Sequence, residues 1–166
     1  MALDPQLTSL IVPPEEIANI EEILNRLVEE TGGNHALLLD KSGQVIACHG
    51  DASRQDTTAL GALIAGTFAS SREVAKLLRE KDFKMLFQQG AKENLFIALI
   101  AEQWILTIIF NKETHIGLVK VLIKKASEEL TTILQRVRQS RHVRNDVLNS
   151  SLRTSMADTI DLLFRD

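Results

Sequence analysis

The chain has 166 residues, a net charge of −3 at pH 7 and an aromatic content of 4% with no tyrosine. That length gives one domain with an ample core and short extensions. The acidic balance and the scarcity of rings for base stacking argue against nucleic acid as a partner.

Residues 1–14 read as an N-terminal extension. It opens Met1-Ala2-Leu3-Asp4-Pro5, without the basic and then apolar regions of a signal peptide, and no uncharged run in the chain reaches the length of about 18 residues that spans a bilayer. A cytoplasmic protein with no membrane insertion is expected. Pro13-Pro14-Glu15-Glu16 then marks a helix start, with a ring near the first turn and carboxylates at the positive end of the dipole. Ile17, Ile20, Leu24, Leu27, Val28 and Thr31 recur at helical spacing, and Gly32-Gly33 supply a left-handed stop. His35 to Asp40 and Val45 to Cys48 are apolar runs joined by Lys41-Ser42-Gly43, which predicts a hairpin. Cys48, the single cysteine, cannot close an internal disulfide and is expected as a small buried hydrophobe in a reducing compartment.

Asp56 is placed to cap the stretch around which the chain is organised, Asp56 to Leu78, uncharged from Thr57 to Ser71. At about 100° per residue, Leu60, Leu63, Ile64, Phe68, Val74 and Leu78 fall on one half of the cylinder, the expected core face. The other half carries Thr58, Ala62, Ala65 and Ala69, with Gly66 at its edge and Arg72, Glu73 and Lys76 continuing the line. Gly61 and Gly66 each cost a helix interior about 1 kcal/mol relative to alanine, so something is expected to approach the backbone closely. The small face is the expected docking surface for another chain.

Phe83 to Gln88 follows as a polar strand suited to a sheet edge. Leu95 to Ala101 and Trp104 to Phe110 are apolar on both faces and turn at Glu102-Gln103, so helices must cover both sides of the sheet. A last core helix begins near His115 or Ile116 and carries Leu118, Val121, Leu122, Ala126, Leu130, Ile133 and Leu134, with the core ending near Leu134. The predicted fold is α+β, in the order α-β-β-α-β-β-β-α. It has a five-stranded antiparallel sheet, one long helix on one face, two helices on the other, and a C-terminal tail with a short helix. The division is 1–14 extension, 15–135 domain, 136–166 C-terminal extension.

Motifs for chemistry are sparse. Gly61 to Thr67 has the spacing of a phosphate loop but lacks the lysine after the second glycine and lies inside a helix. His35, His49, His115 and His142 are scattered without paired ligand spacing and read as solvated or strand-end histidines, so no metal and no cofactor is expected. No nucleophile elbow or acid–base signature stands out, and no residue is assigned a catalytic role. The four arginines from Arg136 to Arg144 read as a charged helix end. Met156, Ile160, Leu163 and Phe164 form an apolar edge on a segment too short to be a stable helix alone. It calls for a groove, either on its own domain or on a partner.

Several short stretches together resemble a known family. Asp40-Lys41-Ser42-Gly43 in the first turn, Asp56-Thr57-Thr58-Ala59-Leu60 opening the long helix, Ala65-Gly66 within it and Gly117-Leu118-Val119-Lys120 opening the last core helix resemble the roadblock/dynein light-chain family over about Glu15 to Leu134. Phe87-Gln88-Gln89-Gly90-Ala91-Lys92, Ile123 to Leu130 and Ile160-Asp161-Leu162-Leu163-Phe164 are similar to its bacterial MglB group. The resemblance implies a homodimer with paired long helices; separately, the polar edge strand Phe83 to Gln88 of each copy could pair to extend the sheet. That dimer would bind a small Ras-like GTPase of the MglA type in its GTP-bound state. It would stimulate hydrolysis without being an enzyme itself, by repositioning the GTPase's own catalytic groups, and act in cell polarity or motility, concentrated at a cell pole. The implied GTPase interface is Thr58, Ala62, Ala65, Gly66 and Ala69, with a tail contact through Ile160, Leu163 and Phe164. Arg54 and Arg72 are exposed residues that could serve as an arginine finger, and Glu73 departs from the small residue relatives keep there. The alternative is a scaffold or motor light chain with no effect on hydrolysis.

Overall fold

The computed structural model describes residues 11–51 and 56–164. Its elements are α1 (Pro14–Thr31), β1 (His35–Asp40), β2 (Val45–Gly50), α2 (Thr57–Leu77), β3 (Met85–Gln89), β4 (Glu93–Ile100), β5 (Trp104–Asn111) and α3 (Ile116–Leu163). The predicted order and fold class are observed.

The five strands form one antiparallel sheet in the order β2-β1-β5-β4-β3, so β2 and β3 are its edges. Alternation along the central strands sends Phe96, Ala98 and Ile100 of β4 and Trp104, Leu106, Ile108 and Phe110 of β5 to one face. There they meet Ile20, Leu24 and Leu27 of α1 and Val119, Ile123, Leu130 and Leu134 of α3. The residues between them, Ile97 and Ile105, join Leu37 and Leu39 of β1 on the opposite face, under Ile64 and Phe68 of α2. Both faces of the sheet are dry, as the apolar runs require.

Local chemistry fixes the ends. Pro13 precedes α1 in extended backbone, and Gly32 at φ 63° stops it while the Gly33 N–H donates to the Val28 carbonyl at 3.0 Å. The Thr114 hydroxyl donates to the Thr31 carbonyl at 3.1 Å, tying the start of α3 to the end of α1. Arg136 donates from Nε to Glu16 at 2.8 Å, and that bond holds the Glu16 carboxyl below the usual range. Arg26 and Glu129 make a second link between the two helices.

The tail differs from expectation. It is helical, but it is no separate short helix: α3 runs unbroken for 48 residues from Ile116 to Leu163. Its last buried residue is Val137. No glycine or proline follows Gly117, so nothing in the backbone stops the helix where the domain ends. Cys48 is half-buried on β2 and packs against the α2-side core.

Candidate docking surface

The site is built on α2. Asp56 caps it, its Oδ1 accepting the Ala59 N–H at 3.1 Å. Gly61, Ile64, Ala65, Phe68 and Ala75 are its buried residues. A Cβ on Gly61 would stand 2.6 Å from the Gly43 carbonyl oxygen, so this glycine lets α2 seat on the β1–β2 turn. A Cβ on Gly66 would meet nothing within 4 Å. Of the two glycines of α2, Gly61 serves a close approach inside the domain and only Gly66 lies on open surface.

This fixes the rotation of the helix and corrects two expectations. Leu63, Val74 and Leu78, expected in the core, are 70%, 49% and 63% exposed. Ala65, expected on the docking face, is buried. The physical reason at Gly61 is packing distance, since the Gly43 carbonyl of the first turn lies where a side chain would stand; with Gly61, Ala65 and Ala75 turned inward, the leucines at 63 and 78 fall outside. Thr58, Ala62, Gly66 and Ala69 are exposed as expected. They share the outer surface with Ala59, Leu63, Ser70 and Leu77, which is apolar or nearly so from Thr58 to Ser70. Thr67 and Ser71 return their hydroxyls to the Leu63 and Phe68 carbonyls at 3.0 and 2.8 Å, which removes much of their polarity. Charge begins only in the last turns, where Arg72 pairs with Asp82 at 2.7 Å and Lys76 with Glu73 at 2.6 Å. Arg72 is held there by Asp82 instead of reaching out, and Arg54 lies outside the described residues.

Beside α2, β3 presents an open edge. The Lys84 carbonyl accepts the Leu99 N–H at 3.0 Å, so by antiparallel alternation Met85 and Phe87 turn their own N–H and C=O groups outward. Their side chains are 46% and 40% exposed. Ile160, Leu163 and Phe164 lie exposed at the far end of α3, in sequence and along the helix distant from α2. The structure does not bring the tail onto this domain.

Other features lack converging chemistry. An open cleft of about 330 Å³ between α1 and α3 is lined by Arg26, Glu129 and Arg136, all engaged in ion pairs. No three metal-ligating side chains meet among the described residues, and none of their helices is long and apolar enough to cross a membrane. His35 is a strand-end histidine, the first residue of β1, and is not solvated. It is buried, neither ring nitrogen has a hydrogen-bond partner, and burial, aided by His49 and opposed by Asp51, lowers its pKa.

Three layers, a helix whose outer side is oily and small, and an unpaired edge strand next to it define a class: α/β/α domains that present a helix and a sheet edge for docking. The chain belongs to the Roadblock/LC7 domain family, whose model matches residues 19–110. It is similar to Myxococcus xanthus MglB, with 37% identity and a TM-score of 0.73 over 77% of this chain and 96% of that one. It is similar as well to the gliding protein MglB of Thermus thermophilus, with 30% identity and a TM-score of 0.72 over 77% and 97%. A third similar structure is an MglB in a tetrameric arrangement, 29% identical with a TM-score of 0.74 over 78% and 97%.

Proposed function

We propose that this protein is a non-enzymatic activator of a small Ras-like GTPase of the MglA type, acting as a homodimer in the cytoplasm. The observation that carries the reading is the outer surface of α2, uncharged from Thr58 to Ser70 although Ala62, Leu63, Gly66 and Ala69 face solvent in a lone protomer. A solvent-facing helix ordinarily carries charge there. Two copies of α2, each beside an open β3 edge, would form one apolar platform on a continuous sheet. A GTPase in its GTP-bound state would lie across that platform, contacting Thr58, Ala62, Gly66 and Ala69, and have its own catalytic groups set in place. Ile160, Leu163 and Phe164 would add a second contact. The similarity to the MglB structures supports the partner class.

Single-turnover GTP hydrolysis by an MglA-type GTPase tests it. Added protein should accelerate the reaction, and Ala69→Arg should abolish the acceleration. An unchanged rate with wild-type protein would count against activation and favour the second reading, a scaffold that uses the same face to hold other roadblock-type chains. That reading draws on the same platform, and on the MglB found in a tetrameric arrangement.

A further inference from the structure

On the side of the sheet opposite α2, one strand has little cover. There α1 packs on β2 and β1, and α3 packs on β4. A helix is about 10 Å across and strands lie about 4.8 Å apart, so two helices cover about four strands and the fifth, the edge strand β3, is left over. Its side chains agree. The Phe87 ring lies 6.3 Å from those of Phe96 and Phe110, in the core beneath α1 and α3, so Phe87 stands on that face and Met85, two residues away, shares it. Met85 is 46% and Phe87 40% exposed although they border the core. The flank of α3 walls this strip. Leu122, Lys125 and Glu129 line a cleft against α1, so at about 100° per residue Lys120, Lys124, Ser127 and Thr131 lie on the opposite flank, toward β3. Ser127 and Thr131 return their hydroxyls to the Ile123 and Ser127 carbonyls, both at 2.7 Å. Lys120 and Lys124 are exposed and have no ion-pair partner among the described residues, whereas Arg26, Arg72, Lys76, Lys81 and Arg136 all have one. No carboxylate shares that flank between Ile116 and Thr131.

We propose that this strip is a docking surface for an acidic amphipathic helix of another protein, its apolar line on Met85 and Phe87 and its carboxylates toward Lys120 and Lys124. The occupant follows from the chemistry. An apolar floor disfavours a purely polar segment, the unpaired ammonium groups select carboxylates, and helices already cover the other strands of this face. The width of the site rests on the β3 pairing proposed above. Hydrogen bonds between two β3 edges lie in the plane of the sheet and leave its face open. Pairing then sets two bare strands side by side, a strip about 10 Å wide, which is room for one helix between the two copies of α3. That helix would carry carboxylates on both margins of its apolar line. The outer face of α2 is on the other side of the sheet, so a GTPase and this helix would be held at the same time.

Fluorescence anisotropy on the full chain tests this with two labelled synthetic peptides of about 18 residues, or about five helical turns. Each carries one line of leucines at helical spacing, flanked by glutamates in the first and by lysines in the second. The glutamate peptide should bind about 10-fold tighter or more, with one peptide per two chains. Equal affinities, or no binding of the glutamate peptide, would overturn the proposal, and one peptide per chain would overturn the shared strip. Lys120→Glu combined with Lys124→Glu should weaken the glutamate peptide about 10-fold or more and strengthen the lysine peptide, at unchanged melting temperature. Met85→Glu should weaken the glutamate peptide as well. Arg144→Glu combined with Arg153→Glu makes the same change of charge farther along α3 and should alter neither affinity; a matching loss there would mean general charge attraction and overturn the site. Sedimentation of the chain without peptide reads the β3 dimer separately: a dimer that binds neither peptide removes this inference and leaves that reading standing.

Discussion

His35 shows how one side chain can set a pH dependence. It is 2% exposed at the start of β1, with Nδ1 and Nε2 both unpartnered, so the domain holds it neutral and its folded pKa lies below the ordinary 6.5. Between the two values the unfolded chain binds more protons, so stability should be full above pH 6.5, fall as pH drops through 6.5, and level off below the folded pKa. Urea denaturation from about pH 8 to about pH 5 reads this, and His35→Leu should flatten that slope. Losing the two orphaned nitrogens should also raise stability at neutral pH by about 1 kcal/mol. A slope unchanged in His35→Leu would place the titrating group elsewhere. The two glycines of α2 make a matched pair of substitutions. Gly61→Ala pushes a methyl to 2.6 Å from the Gly43 carbonyl oxygen and should cost about 1–3 kcal/mol. Gly66→Ala meets open space and should gain up to about 1 kcal/mol of helix stability, read by thermal melting. In the sequence the two glycines look equivalent, because only the position of the first hairpin turn distinguishes them.

At the scale of elements, the order, the caps at Asp56 and Gly32 and the edge position of β3 were legible, since each rests on local pattern. The rotation of α2 was not. Its residues from Thr57 to Ser71 are uncharged all round, so periodicity leaves two candidate core faces, and the inward small residues at 61, 65 and 75 decide between them only through their neighbours in space. The unbroken α3 was legible in principle from the absence of any glycine or proline after Gly117, but the polar stretch from Asn145 to Ser155 reads locally as a break. The corrected rotation separates two otherwise similar substitutions. Ala69→Arg adds its charge to solvent-exposed surface, so the melting temperature should hold while binding through α2 weakens about 100-fold, which titration against the GTPase measures. Ala65→Arg forces a guanidinium into the packed side of the helix and should unfold the domain outright. If Ala65→Arg instead folded and lost only binding, the outward face would be the one first inferred from the sequence.

For the whole molecule, the question is how many distinct contacts join one copy to the next. The β3 edge and the outer face of α2 lie side by side, and each is self-complementary about a two-fold axis, so both can serve a single dimer. They can be cut separately. Met85 turns its backbone N–H toward the open edge and not toward β4, so Met85→Pro removes a donor that the folded protomer does not use. The protomer should therefore keep its melting temperature within a few degrees while losing sheet-to-sheet pairing. Ala62→Arg places a charge on the exposed outer face of α2 and leaves β3 unchanged. Each single variant should dimerise more weakly than the unchanged chain, and the double variant should sediment as a monomer. A Met85→Pro, Ala62→Arg chain that still dimerised would place the contact elsewhere, at the exposed Leu148 and Leu152 of α3 beyond the domain. In that case adding Leu152→Arg should bring the chain to a monomer, because the charge would fall within that exposed apolar segment.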